Sequence, residues 1–186
     1  MNPHLSPTDP RSSYHGVVIA VAGPPHSGKS VFLAELYRQL LGHQPSGVFL
    51  QPACPDGEGM WANESDPQIV RQIRRKFAFS EEFISITLQG IEQLGRNSQK
   101  AIVLLDLGGK RSAANAEILR RSTHCMILSS QVDEIPLWEL FATTEGCQIL
   151  AVFHSHLRSI SSDEPRSFLQ TDILPMRGTL INRPLA

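Results

Sequence analysis

The feature that most constrains this chain is the stretch from Gly16 to Leu33, where an apolar run, a glycine-rich turn and a helical pattern follow one another. Val17 to Ala22 is a continuous apolar run, which is typical of a buried strand. The next residues, Gly23-Pro-Pro-His-Ser-Gly-Lys-Ser30, have the G-x-x-x-x-G-K-S spacing of a phosphate-binding loop. Apolar residues at helical spacing begin at Val31. Strand, loop and helix in this order predict a nucleotide-phosphate site.

The residue types in this loop suit the chemistry of phosphate binding. Gly23 and Gly28 permit backbone torsions and close approach that a Cβ would block. Successive amides can then converge on phosphates at a helix N-terminus. We expect Lys29 to reach the β- and γ-phosphates and the Ser30 hydroxyl to bind Mg²⁺. The predicted nucleotide contacts are Gly23, Pro24, Pro25, His26, Ser27, Gly28, Lys29, Ser30, Val31 and, from a second motif, Gly109.

A second acidic position follows the apolar run that begins at Ala101. Asp106 ends this run, where a Walker-B aspartate holds Mg²⁺ directly or through water. We therefore predict Lys29 and Asp106 as catalytic and Ser30 and Asp106 as metal-binding; a carboxylate that caps the next helix is the alternative. Leu107 follows instead of Glu, which argues against a motor-type ATPase.

Asp106-Leu-Gly-Gly109 also fits the D-x-x-G pattern whose glycine amide senses a γ-phosphate, although a tight turn explains it equally well. Lys110 and Arg111 are interpreted as solvated charges, with transition-state stabilisation as the alternative. Guanine specificity normally needs N-K-x-D, and Ser130-Gln-Val-Asp133 keeps only the Asp. The sequence thus favours ATP, with another nucleoside triphosphate left open.

Three further segments contain candidate residues. Asp56 and Glu58 lie in a Pro- and Gly-rich loop that ends at Trp61, and they are predicted as catalytic residues on the acceptor side of a phosphoryl transfer; a mobile acidic turn is the alternative. Four basic residues between positions 71 and 76 suit either a phosphate-clamping lid or a solvated helix face. His154 and His156 are interpreted as exposed strand-end histidines, because two ligands make an incomplete metal site; an approach to the nucleotide base, or metal binding, is the alternative.

The alternation of strand and helix patterns predicts an α/β P-loop NTPase fold, a doubly wound, mainly parallel sheet with helices on both faces. Residues 1–14 are expected to form a flexible leader and residues 15–186 the domain, with a last strand over Arg177–Asn182. A chain that stops soon after this strand suggests a truncated or separated module.

The composition excludes several classes of protein. The formal net charge of −1 gives no bulk attraction to nucleic acid or anionic lipid. Three cysteines without CxxC spacing suit reduced thiols in a cytoplasmic protein. No apolar run is long enough for a membrane span, so no membrane partner is expected.

The loop Gly23–Ser30, taken together with Cys54-Pro-Asp-Gly-Glu-Gly-Met-Trp61, resembles one specific group. It is similar to the AAA-like P-loop module fused to or encoded beside the CRISPR-associated ring nuclease of type III systems. The resemblance implies a partner nuclease that degrades cyclic oligoadenylate, and a role in damping antiviral signalling.

We expect an Mg²⁺-dependent nucleoside triphosphate binder with slow hydrolysis or kinase-like phosphoryl transfer. The alternatives are a nucleotide-gated regulatory or oligomerisation module with little turnover, which includes a homo-oligomer, and a small-molecule kinase.

Overall fold

A computed structural model describes residues 9–43, 46–53, 81–97, 101–157 and 171–178 of the chain. The strands are β1 (Val17–Ala22), β2 (Val48–Ala53), β3 (Ile102–Leu107), β4 (His124–Ser129), β5 (Gln148–Leu157) and β6 (Thr171–Gly178). The α-helices are α1 (Lys29–His43), α2 (Glu81–Asn97), α3 (Ala113–Leu119) and α4 (Ile135–Thr144), and two 3₁₀ turns lie at Pro10–Ser13 and Val132–Glu134.

The six described strands form one sheet in the order β2-β3-β1-β4-β5-β6. The first five are parallel, whereas β6 runs antiparallel to β5. The predicted α/β class with a mainly parallel sheet is therefore confirmed. β1 lies between β3 and β4, and Val21 pairs with Asp106 at its carboxyl end.

The last described strand overlaps one expectation. β6 covers Thr171–Gly178 and so includes Arg177 and Gly178 of the predicted strand Arg177–Asn182, whose residues 179–182 lie outside the described part of the chain. Pro175 lies inside it, opposite Phe153 and beside a register shift. Because proline cannot donate to a sheet ladder, its presence conceals an edge strand from sequence patterns.

The described helices lie on both faces of the sheet. One buried cluster joins Ile19 and Val21 of β1 to Leu33 of α1, whereas the other joins Val18 and Ala20 of the same strand to α2, α3 and α4. The connection from β1 to β2 runs toward the β2 edge of the sheet. Each later connection between parallel strands, from β2 to β3, β3 to β4 and β4 to β5, runs toward the β6 edge. Right-handed crossovers place the helices of opposite steps on opposite faces, which leaves α1 across the sheet from the other three described helices.

Two cysteines are buried on the α2–α4 side of the sheet. Cys125 is fully buried in β4, and Cys147 donates its thiol to the Leu119 carbonyl at 3.1 Å just before β5. Burial raises the pKa of Cys147 to about 12 and raises the pKa of Cys125 well above its ordinary value. Both thiols therefore remain protonated at neutral pH.

Residues 9–14, which the sequence places in a flexible leader, pack against the amino end of the sheet. Arg11 is buried there and donates to Asp9 and to the carbonyls of Ser122 and Gly146. Tyr14 packs against the α2–α4 cluster. A proline-rich composition gives no sign of these contacts, because the polar bonds of Arg11 and one aromatic side chain hold the segment, and no periodic apolar pattern is present. Among the described helices, none is long and apolar enough to cross a membrane.

Candidate functional site

The candidate site lies at the carboxyl ends of β1 and β3, where the chain reverses its direction across the sheet. In open parallel sheets, ligands bind in the crevice beyond such a switch point. A cavity of about 340 Å³ occupies this place and is lined by residues 26–31 and 106–109. The fold thus brings the predicted loop and the predicted Asp106 to one cavity.

The loop between β1 and α1 contains three residues with positive φ. Gly23 has φ 145° and Gly28 has φ 78°, both in a region that glycine tolerates. A Cβ on Gly23 would lie 1.8 Å from the Leu128 carbonyl oxygen, so only glycine fits against β4. His26 has φ 59° with an exposed side chain, and it is the one non-glycine residue of the described chain with positive φ. This strained conformation at a cavity wall is a common mark of a functional loop.

Lys29 is the buried cation of the site. The residue is 8% exposed, and its Nζ donates to the carbonyls of Gly23 at 3.0 Å and Pro24 at 2.8 Å. These bonds hold the ammonium group inside the curl of the loop, beside the cavity. A buried lysine that remains charged needs such oxygen partners, and it creates a positive potential suited to an anion.

Ser30 and Asp106 meet across the cavity floor. The Ser30 hydroxyl donates to Asp106 Oδ2 at 2.7 Å, which joins the first turn of α1 to the end of β3. Hydroxyl and carboxylate oxygens are hard ligands, and Mg²⁺ takes one or two such protein ligands together with waters and phosphate oxygens. The donor set therefore fits Mg²⁺. No cluster of three or more His, Cys, Asp or Glu residues suited to a metal occurs among the described residues.

Gly108 and Gly109 line the cavity together with residues 29–31 at the start of α1. A Cβ on Gly109 would lie 2.7 Å from the Pro25 nitrogen and 2.9 Å from its Cα, so the two loops are in close contact. This contact places a backbone amide of the D-x-x-G segment beside the β1–α1 loop. The D-x-x-G segment is thus part of the cavity wall.

The segment after β4 touches the same loop from the other side. The Ser130 N–H donates to the buried Ser27 hydroxyl at 3.3 Å. Asp133, the one residue that matches the guanine motif, is exposed in the 3₁₀ turn Val132–Glu134. His154 is half-buried in β5 and pairs with Ser129.

The basic residues after Gly109 have separate environments. Lys110 is exposed. Arg111 forms an ion pair with Glu134 at 2.5 Å, and its guanidinium lies 5.5 Å from the centre of the Trp138 ring. Arg111 is therefore engaged with α4 and the turn before it.

Several predicted residues lie outside the described part of the chain. These are Asp56, Glu58 and Trp61 of the acidic loop, and the basic residues Arg71, Arg74, Arg75 and Lys76. Their roles stay predictions.

Sequence reasoning missed one polar residue next to the site. Asn115 is fully buried in α3, and its Nδ2 donates to the carbonyls of Gly108 at 3.1 Å and Lys110 at 2.7 Å. The signal was a lone asparagine in the run Ala113-Ala-Asn-Ala116, a poor helix interior residue among good ones.

The chain matches no protein-family model, and no curated protein matches it either. Among solved structures, it is similar to a nucleotide-binding protein from Archaeoglobus fulgidus in complex with ADP. The identity is 17%, the match covers 77% of this chain and 69% of that chain, and the TM-score is 0.47. A likeness this low assigns no function, so the following proposal rests on the geometry of the site.

Proposed function

We propose that this chain binds the polyphosphate of a nucleoside triphosphate, with Mg²⁺, in the cavity between residues 26–31 and 106–109. The observation that carries the proposal is the meeting of a buried ammonium group, Lys29, with the hydrogen-bonded pair Ser30 and Asp106 at one cavity. The positive charge of Lys29 suits a phosphate group, and the oxygen atoms of Ser30 and Asp106 suit a divalent metal. A polyphosphate that carries a bound metal matches both.

Each residue would have a distinct role. The amides of the β1–α1 loop would donate to phosphate oxygens, and Lys29 would neutralise their charge. Ser30 and Asp106 would hold Mg²⁺, which supplies charge neutralisation for the β- and γ-phosphates. We infer ATP as the nucleotide because the segment at residues 130–133 lacks the Asn-Lys pair of guanine readers.

Turnover is proposed to be slow. Leu107 occupies the position after Asp106 and is 1% exposed in the core, so the residue after the metal-binding acid cannot act as a base. Asp106 is the one carboxylate that lines the described cavity, and it is assigned to the metal. Kinase-like transfer would need an acceptor site, for which Asp56 and Glu58 are the proposed residues.

The decisive experiment replaces Lys29 with Ala and measures binding of ATP with Mg²⁺ by calorimetry. Because charged hydrogen bonds contribute about 1.5–3 kcal/mol each, we expect a loss of about 100-fold in affinity. Arg38→Ala is the matched control, since it removes one positive charge from an exposed site on the same helix. Unchanged affinity in a folded Lys29→Ala protein would refute the proposal.

We also propose a regulatory partner, which rests on the resemblance in the sequence motifs. This module would act with a CRISPR ring nuclease, an enzyme that degrades cyclic oligoadenylate. Cleavage of cyclic oligoadenylate by such a nuclease is then expected to change when this chain and ATP are both present. An unchanged cleavage rate argues against the regulatory role. A small-molecule kinase, in contrast, would release ADP only when an acceptor is added.

A further inference from the structure

Asn115 is tied to the loop that forms one wall of the candidate site. Its side chain is fully buried, and both of its bonds from Nδ2 reach that loop, at the carbonyls of Gly108 and Lys110. Its Oδ1 is also buried and finds no partner in the described part of the chain. The amide is therefore oriented by its donors alone, because the flipped amide would set Oδ1 against two carbonyl oxygens.

The bond to Gly108 fixes the orientation of one peptide unit. The C=O and N–H of a planar trans peptide point in opposite directions. When the Gly108 carbonyl is held by Asn115, the N–H of Gly109 must point away from Asn115. Gly109 itself borders the cavity and is packed against Pro25. This N–H therefore points away from the buried side chain of Asn115, on a residue that lines the cavity.

We propose that Asn115 is a positioning residue that aims the Gly109 N–H at the terminal phosphoryl group of the ligand, and so selects triphosphate over diphosphate. This inference rests on the proposed function. Gly109 follows Asp106 by three residues, and Asp106 bonds to Ser30 at the metal-binding position. Ser30 and Asp106 would hold Mg²⁺, which would supply charge neutralisation for the terminal phosphates, and a donor three residues after Asp106 suits the phosphate farthest from the nucleoside.

The test compares Asn115→Ala with Ser112→Ala. Ser112 caps α3 by accepting from the Asn115 N–H at 3.3 Å, so its loss destabilises the same helix while the side-chain bonds to Gly108 and Lys110 remain. Calorimetry would measure the affinities for ADP with Mg²⁺ and for a non-hydrolysable ATP analogue with Mg²⁺. We expect the Asn115 variant to lose about tenfold in affinity for the triphosphate and less than twofold for ADP, and the Ser112 variant to keep both affinities.

The outcomes distinguish a failure of the proposed function from a failure of the positioning role. If the wild-type protein binds neither ligand, the proposed function fails. If it binds both and the Asn115 variant loses both affinities equally or neither, the proposed function survives and the positioning role is refuted.

If the Asn115 variant does not fold, a measurement on the wild-type protein tests the positioning role instead. In ¹⁵N-labelled protein, the Gly109 amide resonance is expected to shift on addition of the triphosphate analogue beyond any shift with ADP. Equal shifts with both ligands would also refute the positioning role.

Discussion

Replacement of Arg11 by Met should destabilise the protein strongly while leaving the candidate site intact. The Arg11 side chain is 8% exposed and forms an ion pair with Asp9, which is 17% exposed, at 2.5 Å. It also donates to the carbonyls of Gly146 at 2.8 Å and Ser122 at 3.3 Å. Methionine retains an apolar stem but no side-chain donor. The Gly146 carbonyl then loses its side-chain donor. The Ser122 carbonyl keeps only the Cys147 thiol at 3.5 Å, and the Asp9 carboxylate keeps only the backbone N–H of residue 11.

The magnitude follows from these contacts. Breaking a buried pair by removing one partner costs about 3–5 kcal/mol. Because water can reach part of Asp9, we expect the lower end, about 3 kcal/mol. With a urea m-value of about 2 kcal/mol/M, the midpoint of unfolding should fall by about 1.5 M. Arg38→Met, at an exposed ion pair, is the control and should change stability by less than about 0.5 kcal/mol.

The same variant separates stability from binding. Gly146 and Ser122 lie just before β5 and β4, at the end of the sheet opposite the cavity. The affinity of the folded Arg11→Met protein for ATP with Mg²⁺ should therefore match that of the wild type. A loss of less than about 1 kcal/mol in the free energy of unfolding would show that the Arg11 contacts do not hold the segment, and would refute the reasoning.

Three further perturbations have distinct expected outcomes. His26→Gly removes a side chain from a left-handed backbone position, which costs a non-glycine residue about 1–2 kcal/mol. The greater entropy of glycine in the unfolded chain offsets part of this gain, so we expect the free energy of unfolding to rise by up to about 1 kcal/mol in urea titrations. A clear decrease would contradict the assigned strain. Gly109→Ala forces a Cβ to 2.7 Å from the Pro25 nitrogen; it should cost about 1–3 kcal/mol and weaken ATP binding, whereas wild-type values for both would show that the loops yield freely. Stability should also fall in acid: the side-chain hydrogen bond from Arg11 holds the pKa of Asp9 below its ordinary 3.8, so its contribution is present above about pH 4 and is lost as pH falls through the lowered pKa. Asp9→Asn should flatten the dependence of stability on pH in this range, and an unchanged acid slope would exclude Asp9 as its source.

Much of the fold could be predicted because parallel strands buried on both faces need continuous apolar runs. Val17–Ala22 and the run before Asp106 are such segments, and they form the inner strands β1 and β3. The proximity of Ser30 and Asp106 follows from the same rule, since the carboxyl ends of parallel strands meet at one edge.

What the sequence could not predict depends on single polar contacts between distant segments. Arg11 fixes a segment that composition alone describes as a leader, and Asn115 holds a loop through two carbonyl oxygens. No periodic pattern encodes such contacts. Arg111 shows the same limit, because its ion pair with Glu134 depends on how the turn before α4 is placed.

The reactivity of the two buried thiols can report how often the sheet opens. A thiol reacts as its thiolate, and burial keeps Cys125 and Cys147 protonated. An alkylating reagent can therefore modify them only during excursions that expose β4 or the start of β5, and the labelling rate reports the frequency of those excursions. If the labelling rate slows when nucleotide is added, binding at the carboxyl ends of β1 and β3 is coupled to the opening of β4 and β5.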